Sequence, residues 1–227
     1  PVGSGLWREG AAFLAAGEEA VVGRRGARGW QAEGAAWAAA VAGLLLVRRG
    51  DRLSALEPGS GRVRWTRALP EAHPTAAAGR PGGALFLAEA GALTALDPGT
   101  GAPRWRLGLP GGHGLALAAF GPLLAAGTGS GLLYGVDLDG RLAWRVRAPG
   151  PALAPPVLAG TALASLHAAG PGAALLLVDP GSGRRLGEVA LDVLPAGSPL
   201  RFAGGLAVAG RSGGAVVVTL VRPSAGR

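Results

Sequence analysis

Cysteine is absent from all 227 residues, which removes disulfides, thiol nucleophiles and cysteine-ligated zinc together. Its absence says nothing of compartment, because an envelope protein can fold without disulfides. Lysine, isoleucine and asparagine are missing too, so arginine supplies all 22 basic side chains. The three missing types have AT-rich codons, and the bias points to a GC-rich bacterial genome. Methionine is absent and the chain opens on Pro1, the start of a processed form or of a piece of a longer protein. No signal peptide is left to read. Charge is sparse, at 16% of residues. The most apolar uncharged run, Ala35 to Val47, is too short to span a bilayer and reads as two buried strands meeting at Gly43.

The net charge of +8 has two readings. One is an electrostatic footprint for nucleic acid, lipid head groups or an acidic protein. The other is codon bias combined with few acids. The arginines form no dense run: they stand as Arg24-Arg25, Arg48-Arg49, Arg104 with Arg106, Arg145 with Arg147, and Arg184-Arg185. That spread favours the second reading, so nucleic acid is not the expected partner.

Against these absences stand 49% hydrophobic residues, 42 glycines and 18 prolines. The apolar runs are too regular for disorder, and the chain is long enough to bury a sizeable core. The informative stretch is LTALDPGTGAPRWRLGLP, Leu93 to Pro110. It reads as a strand, a tight turn over Asp97-Pro98-Gly99-Thr100-Gly101, and a second strand carrying Trp105. Copies lie at Leu53 to Pro70, with Glu57, Gly61 and Trp65, and at Leu133 to Gly150, with Asp137 and Trp144. A fourth lies at Leu175 to Leu191, with Asp179, and there Leu186 or Val189 is expected in place of the Trp. Trp65 and Trp105 are 40 residues apart, and Trp105 and Trp144 are 39 apart. A period near forty made of short strands and Gly/Pro turns predicts an all-β fold, a β-propeller of four-stranded antiparallel blades.

The units fall at about 11–34, 35–71, 72–111, 112–150, 151–194 and 195–221 of one domain spanning 1–227. The first looks one strand short, and the last lacks a Trp-bearing outer strand. Residues 1–10, around Trp7, have the look of such a strand. Pairing the N- and C-terminal strands would close six blades into a ring without open edges.

The pattern running from Leu93 to Trp105, and from Leu53 to Trp65, resembles the pyrroloquinoline-quinone-like propeller repeat. That repeat occurs in quinoprotein dehydrogenases and in the lipoprotein propeller of the outer-membrane β-barrel assembly machinery. A dehydrogenase of this type would need a cation held by Asn and carboxylate oxygens, a base near the quinone and usually a vicinal disulfide. This chain has no Asn and no Cys, so neither the quinone nor any other cofactor is expected. Trp65, Trp105 and Trp144 are expected to fill the space between sheets and to give their indole N–H groups to backbone carbonyls. Glu57, Asp97, Asp137 and Asp179, with Gly61 and Gly101, are expected to shape turns and not to catalyse.

His73, His113 and His167 could hold a metal if they converged, but they occupy different places in their repeats and read as surface or loop residues. No catalytic, cofactor or metal residue is therefore assigned. The leading expectation is a non-catalytic scaffold or accessory subunit that binds other protein subunits, in the periplasm or cell envelope. If no export signal preceded Pro1, the cytoplasm replaces it. A propeller-borne enzyme or metal site using the three histidines, and a basic module binding nucleic acid or another anionic polymer, are the alternatives. The latter would lose affinity steeply with salt.

Overall fold

The computed structural model describes residues 5–9, 12–16, 20–25, 28–69, 74–80, 83–89, 91–112, 116–202, 205–212 and 215–221. Contacts group the chain into two compact units, Pro1–Arg106 and Leu107–Arg227. The described residues form strands and turns, with no helix among them.

In the first unit, β1 (Gly5–Glu9), β2 (Ala12–Ala16), β3 (Ala20–Arg25) and β4 (Arg28–Glu33) make an antiparallel sheet in chain order. The second sheet follows with β5 (Trp37–Val41), β6 (Leu44–Arg49), β7 (Arg52–Leu56) and β8 (Val63–Ala68). The third has β9 (Ala76–Gly79), β10 (Leu85–Glu89), β11 (Ala92–Leu96) and β12 (Pro103–Gly108), which runs two residues past the unit boundary. Ala42 and Gly43 close the β5–β6 hairpin with φ of 55° and 78°, the pair of positive values that a two-residue turn between right-twisted strands requires.

The second unit continues the pattern. Its first sheet holds β13 (Ala116–Phe120), β14 (Leu123–Gly127), β15 (Leu132–Asp137) and β16 (Leu142–Arg147). The next holds β17 (Val157–Ala159), β18 (Ala162–Ala169), β19 (Gly172–Val178) and β20 (Arg185–Leu191). In the last, β21 (Leu194–Pro195) and β22 (Leu200–Phe202) both pair with β23 (Gly205–Ser212), whose other edge carries β24 (Ala215–Val221).

Within each unit the core is a series of layers between successive sheets. Alternate residues of one strand enter different layers, as period-two side chains must. Leu45 and Val47 of β6 join Ala32 and Trp30 of the first sheet. Leu44 and Leu46 join Leu85 and Leu87 of the third. In the second unit Leu133 and Ala125 pack on Leu163 and Leu176, whereas Leu166 and Leu175 pack on Leu206 and Val208. Middle strands enclosed on both faces explain the near-continuous apolar runs.

The chain ends depart from expectation. Strand β1 pairs with β2 from Gly5↔Ala16 to Glu9↔Ala12, so residues 5–9 open the first sheet and do not complete the last. The first sheet is thereby four-stranded. Pairing with the adjacent strand closes a loop of a few residues, whereas reaching β24 would close one of about 200 at greater entropic cost. Among the described residues β24 pairs with β23 alone, and the expected pairing of N- and C-terminal strands is absent from these pairings.

Candidate functional site

The repeated joint between sheets is the most specific arrangement in the molecule. It begins with the turn before each fourth strand. Asp97 Oδ1 accepts from the backbone N–H groups of Gly99 at 2.9 Å and Thr100 at 3.0 Å, and from the Thr100 hydroxyl at 3.1 Å. The Arg104 guanidinium donates to its Oδ2 at 2.7 Å. Asp179 takes the Ser182 N–H and hydroxyl in the same way, at 2.8 and 2.7 Å. Glu57, one methylene longer, accepts instead from Ser60 Oγ and from two guanidinium nitrogens of Arg62. Asp137, in a turn one residue shorter, takes the N–H groups of Asp139 and Arg141.

At Glu57, Asp97 and Asp179 these bonds favour the charged carboxylate. Hydrogen bonding from Arg62 lowers the pKa of Glu57, and that from the Ser182 hydroxyl lowers Asp179. Arg104, and after it Thr100, brings Asp97 down from 3.8 to about 2. A depressed folded value adds stability above the unfolded pKa and loses it as pH falls through the folded one. The wild type should therefore melt above Asp97→Asn at neutral pH, and the gap should close between about pH 4 and pH 2. Thermal scans of both proteins across that range measure it; a gap that is constant with pH would refute the ionic contribution.

Three of these turns receive the tryptophan of the preceding sheet. Trp30 on β4, Trp65 on β8 and Trp144 on β16 donate their Nε1–H to the carbonyls of Pro58 at 2.9 Å, Pro98 at 2.9 Å and Pro180 at 2.8 Å. The ring lies over the glycine that ends the turn. Gly61, Gly101 and Gly183 have φ of 69°, 72° and 72°, and a Cβ on them would lie 2.5, 2.6 and 2.7 Å from Trp30, Trp65 and Trp144. Within their own sheets Trp30 and Trp144 face Gly23 and Gly135, and Trp65 faces Ala55. Trp105 is half-buried, its ring centroid 5.8 Å from that of Phe86.

In the fifth sheet the register places neither Leu186 nor Val189 at the tryptophan position. Trp65 and Trp144 each lie beside a register shift, opposite Ala55 and Gly135. The equivalent shift after Leu177 puts Gly187 there. Leu186 is the bulged residue and Val189 faces Leu175.

The histidines divide. His73 and His113 lie outside the described residues. His167 is on β18 and fully buried, which corrects the expectation of a surface or loop position. Its Nδ1 lies 2.9 Å from the Gly150 carbonyl, and its Nε2 has no hydrogen-bond partner. Two residues away on the same strand, the buried Ser165 Oγ is also unpartnered. No spacing rule singles out Ser165, nor Glu89, a buried acid on β10 that accepts from the Thr94 hydroxyl at 3.1 Å. No group of three metal-ligating side chains occurs among the described residues.

Burial is the main cause that lowers the His167 pKa, against a smaller opposing pull from the Gly150 carbonyl and the Glu188 carboxylate. The unfolded chain then binds a proton that the folded one refuses. Stability should be full above the ordinary value of 6.5 and fall as pH drops below it. His167→Phe should flatten that limb in denaturant titrations between pH 7 and pH 5; an unchanged slope would refute it.

The second unit also carries an open apolar cleft of about 470 Å³, lined by Phe120, Pro122, Leu123, Leu158 and Pro180, with Asp137 at its edge. The β13–β14 turn forms one wall, and the turn that receives Trp144 forms another. Apart from Asp137 its lining is apolar or glycine.

No helix among the described residues is long and apolar enough to cross a membrane. Comparison with known proteins defines the lineage of this architecture. The crystal structure of BamB from Moraxella catarrhalis superposes with a TM-score of 0.69 at 20% identity, covering 94% of this chain and 71% of that one. The computationally designed Ika8 protein gives 0.72 at 15% identity, over 95% and 70% of the two chains. A chain in the crystal structure of the mitotic checkpoint complex gives 0.73 at 16% identity, over 94% and 75%. At such identities these likenesses establish the shared fold and nothing of activity. No curated protein matches the chain by sequence. The family model of the outer membrane protein assembly factor BamB matches residues 89–227. That match covers well over half of the chain, including the joint of Trp144 with Pro180, so the chain is a β-propeller protein that belongs to the BamB family.

Proposed function

We propose that this chain is a non-catalytic protein-interaction scaffold, an accessory subunit of a multiprotein complex in the bacterial cell envelope. Membership of a family named for an outer-membrane protein assembly factor is the observation that carries this reading. The local geometry supports it. The tryptophans and turn carboxylates are spent on holding sheets together: Trp65 and Trp144 are buried in joints, and Glu57, Asp97 and Asp179 are tied to neighbouring donors. Trp105, Gly61 and Gly101 belong to the same structural motif. The cleft beside Pro122 and Pro180 offers a partner an apolar seat walled by turns.

Crosslinked co-purification of the tagged protein from its own host tests the proposal. Stoichiometric recovery of one or two envelope proteins is expected, with loss of at least one from Pro122→Asp. Pro122 is exposed, so that variant should melt like the wild type. Recovery of the protein alone, carrying a metal or an absorbing cofactor, would overturn the reading.

A further inference from the structure

The cleft beside Pro122 and Pro180 combines an apolar floor with a charge that the chain itself leaves without a cation. All of its lining residues belong to the second unit. The register sets Phe120 opposite Leu123, and Leu123 opposite Asp137. The three side chains therefore stand in one row on the same face of the fourth sheet, where Phe120, Leu123 and Leu158 back onto the layer shared with the fifth. The matching hairpin of the fifth sheet has only Ala159 and Ala162 there, both buried. Asp137 differs from its counterparts in the other turns. Glu57 and Asp97 each hold an arginine and Asp179 holds a serine hydroxyl, whereas Asp137 accepts from two backbone N–H groups at Oδ1. Among the described residues no arginine forms an ion pair with it.

We propose that this cleft seats an extended segment of a partner protein carrying a phenylalanine or leucine and, two residues on, an arginine or lysine. The inference rests on the scaffold reading above and names the chemistry of what the scaffold holds. The apolar side chain enters against Phe120 and Leu158, and the cation meets Asp137. Size supports this, since about 470 Å³ lies within the roughly 300–1,000 Å³ of pockets that hold small groups. Spacing supports it too. Asp137 stands two strands from Phe120, about 10 Å away, and side chains two residues apart on an extended segment share a face about 7 Å apart. The length of an arginine or lysine side chain covers the difference. Charge supplies the selectivity. The chain as a whole carries +8 and repels basic segments, but screening within about 8 Å at physiological salt leaves the nearest carboxylate to decide.

Peptide titrations of the 227-residue protein, followed through its leucine methyl resonances, provide the test. The probes are acetyl-Gly-Phe-Gly-Arg-Gly-amide and the same peptide with Gln or Glu in place of Arg. The Arg peptide should bind about two- to fivefold tighter than the Gln peptide, the range for one partly exposed ion pair, and the Glu peptide more weakly than either. Added salt should narrow the gap. Asp137→Asn keeps the acceptor for both backbone N–H groups and should abolish the preference while the Phe-dependent shifts persist. Pro122→Cys, the sole thiol of its variant, should react with a maleimide and lose the peptide on doing so. Equal affinity for the three peptides, no binding at several millimolar, or a Pro122→Cys thiol that resists labelling would each overturn the proposal. Co-purification separates it from the reading beneath it. Partners that Asp137→Asn retains in full would overturn this assignment and leave the scaffold standing, whereas failure to recover any partner with the wild type counts against the scaffold.

Discussion

Trp65→Ala should destabilise the protein by about 3–5 kcal/mol, the range for truncating a buried aromatic. The indole is only 7% exposed and lies in the layer between the second and third sheets. Its removal empties the space over Gly101 and leaves the Pro98 carbonyl without the donor at 2.9 Å. Trp65→Phe separates the two contributions: it retains most of the packing and should cost about 1 kcal/mol for the lost hydrogen bond plus a smaller cavity term. Denaturant titrations of the two variants measure both. A loss below about 1 kcal/mol for Trp65→Ala would mean that the ring does not hold the sheets together.

Gly101→Ala should cost about 2–5 kcal/mol for two separable reasons. At φ of 72° a side chain adds about 1–2 kcal/mol of backbone strain. Its methyl group would also stand 2.6 Å from Trp65 Cε3, an overlap that typically costs about 1–3 kcal/mol more. The second contribution vanishes once the indole is gone. In a Trp65→Ala background the same substitution should therefore cost only about 1–2 kcal/mol, the strain alone. Strict additivity in this double-mutant cycle would place the glycine's requirement entirely in its backbone.

The fold was legible because its signal is periodic. Glycine, proline and tryptophan recur at fixed offsets, and the apolar runs between them are the length of strands. What the tryptophans touch was less legible. The acceptor of Trp144 lies 36 residues along the chain and that of Trp30 only 28, so no single spacing identifies it. The tryptophan position of the fifth sheet was misread for a local reason: a bulge moves Gly187 into the place that Leu186 or Val189 was expected to hold. His167 was misread because turn-like sequence follows it, whereas burial depends on what the neighbouring sheet covers. The assignment of β1 to the last sheet rested on its tryptophan and on the last unit's want of a Trp-bearing outer strand. The hairpin partner next to it in the chain prevailed.

The joints between sheets also have a direction. In each described case the indole belongs to the earlier sheet and the turn that receives it to the later one, as with Trp30 and Pro58, Trp65 and Pro98, and Trp144 and Pro180. During synthesis, which proceeds from the N-terminus, the anchor therefore always leaves the ribosome before its seat. Each new turn can settle on a ring already in place, within a few tens of residues, where loop closure is cheap and folding by nearest neighbours is fast. Shortening the chain from opposite ends should leave opposite scars: a bare indole where C-terminal sheets are removed, and an empty glycine seat where N-terminal ones are.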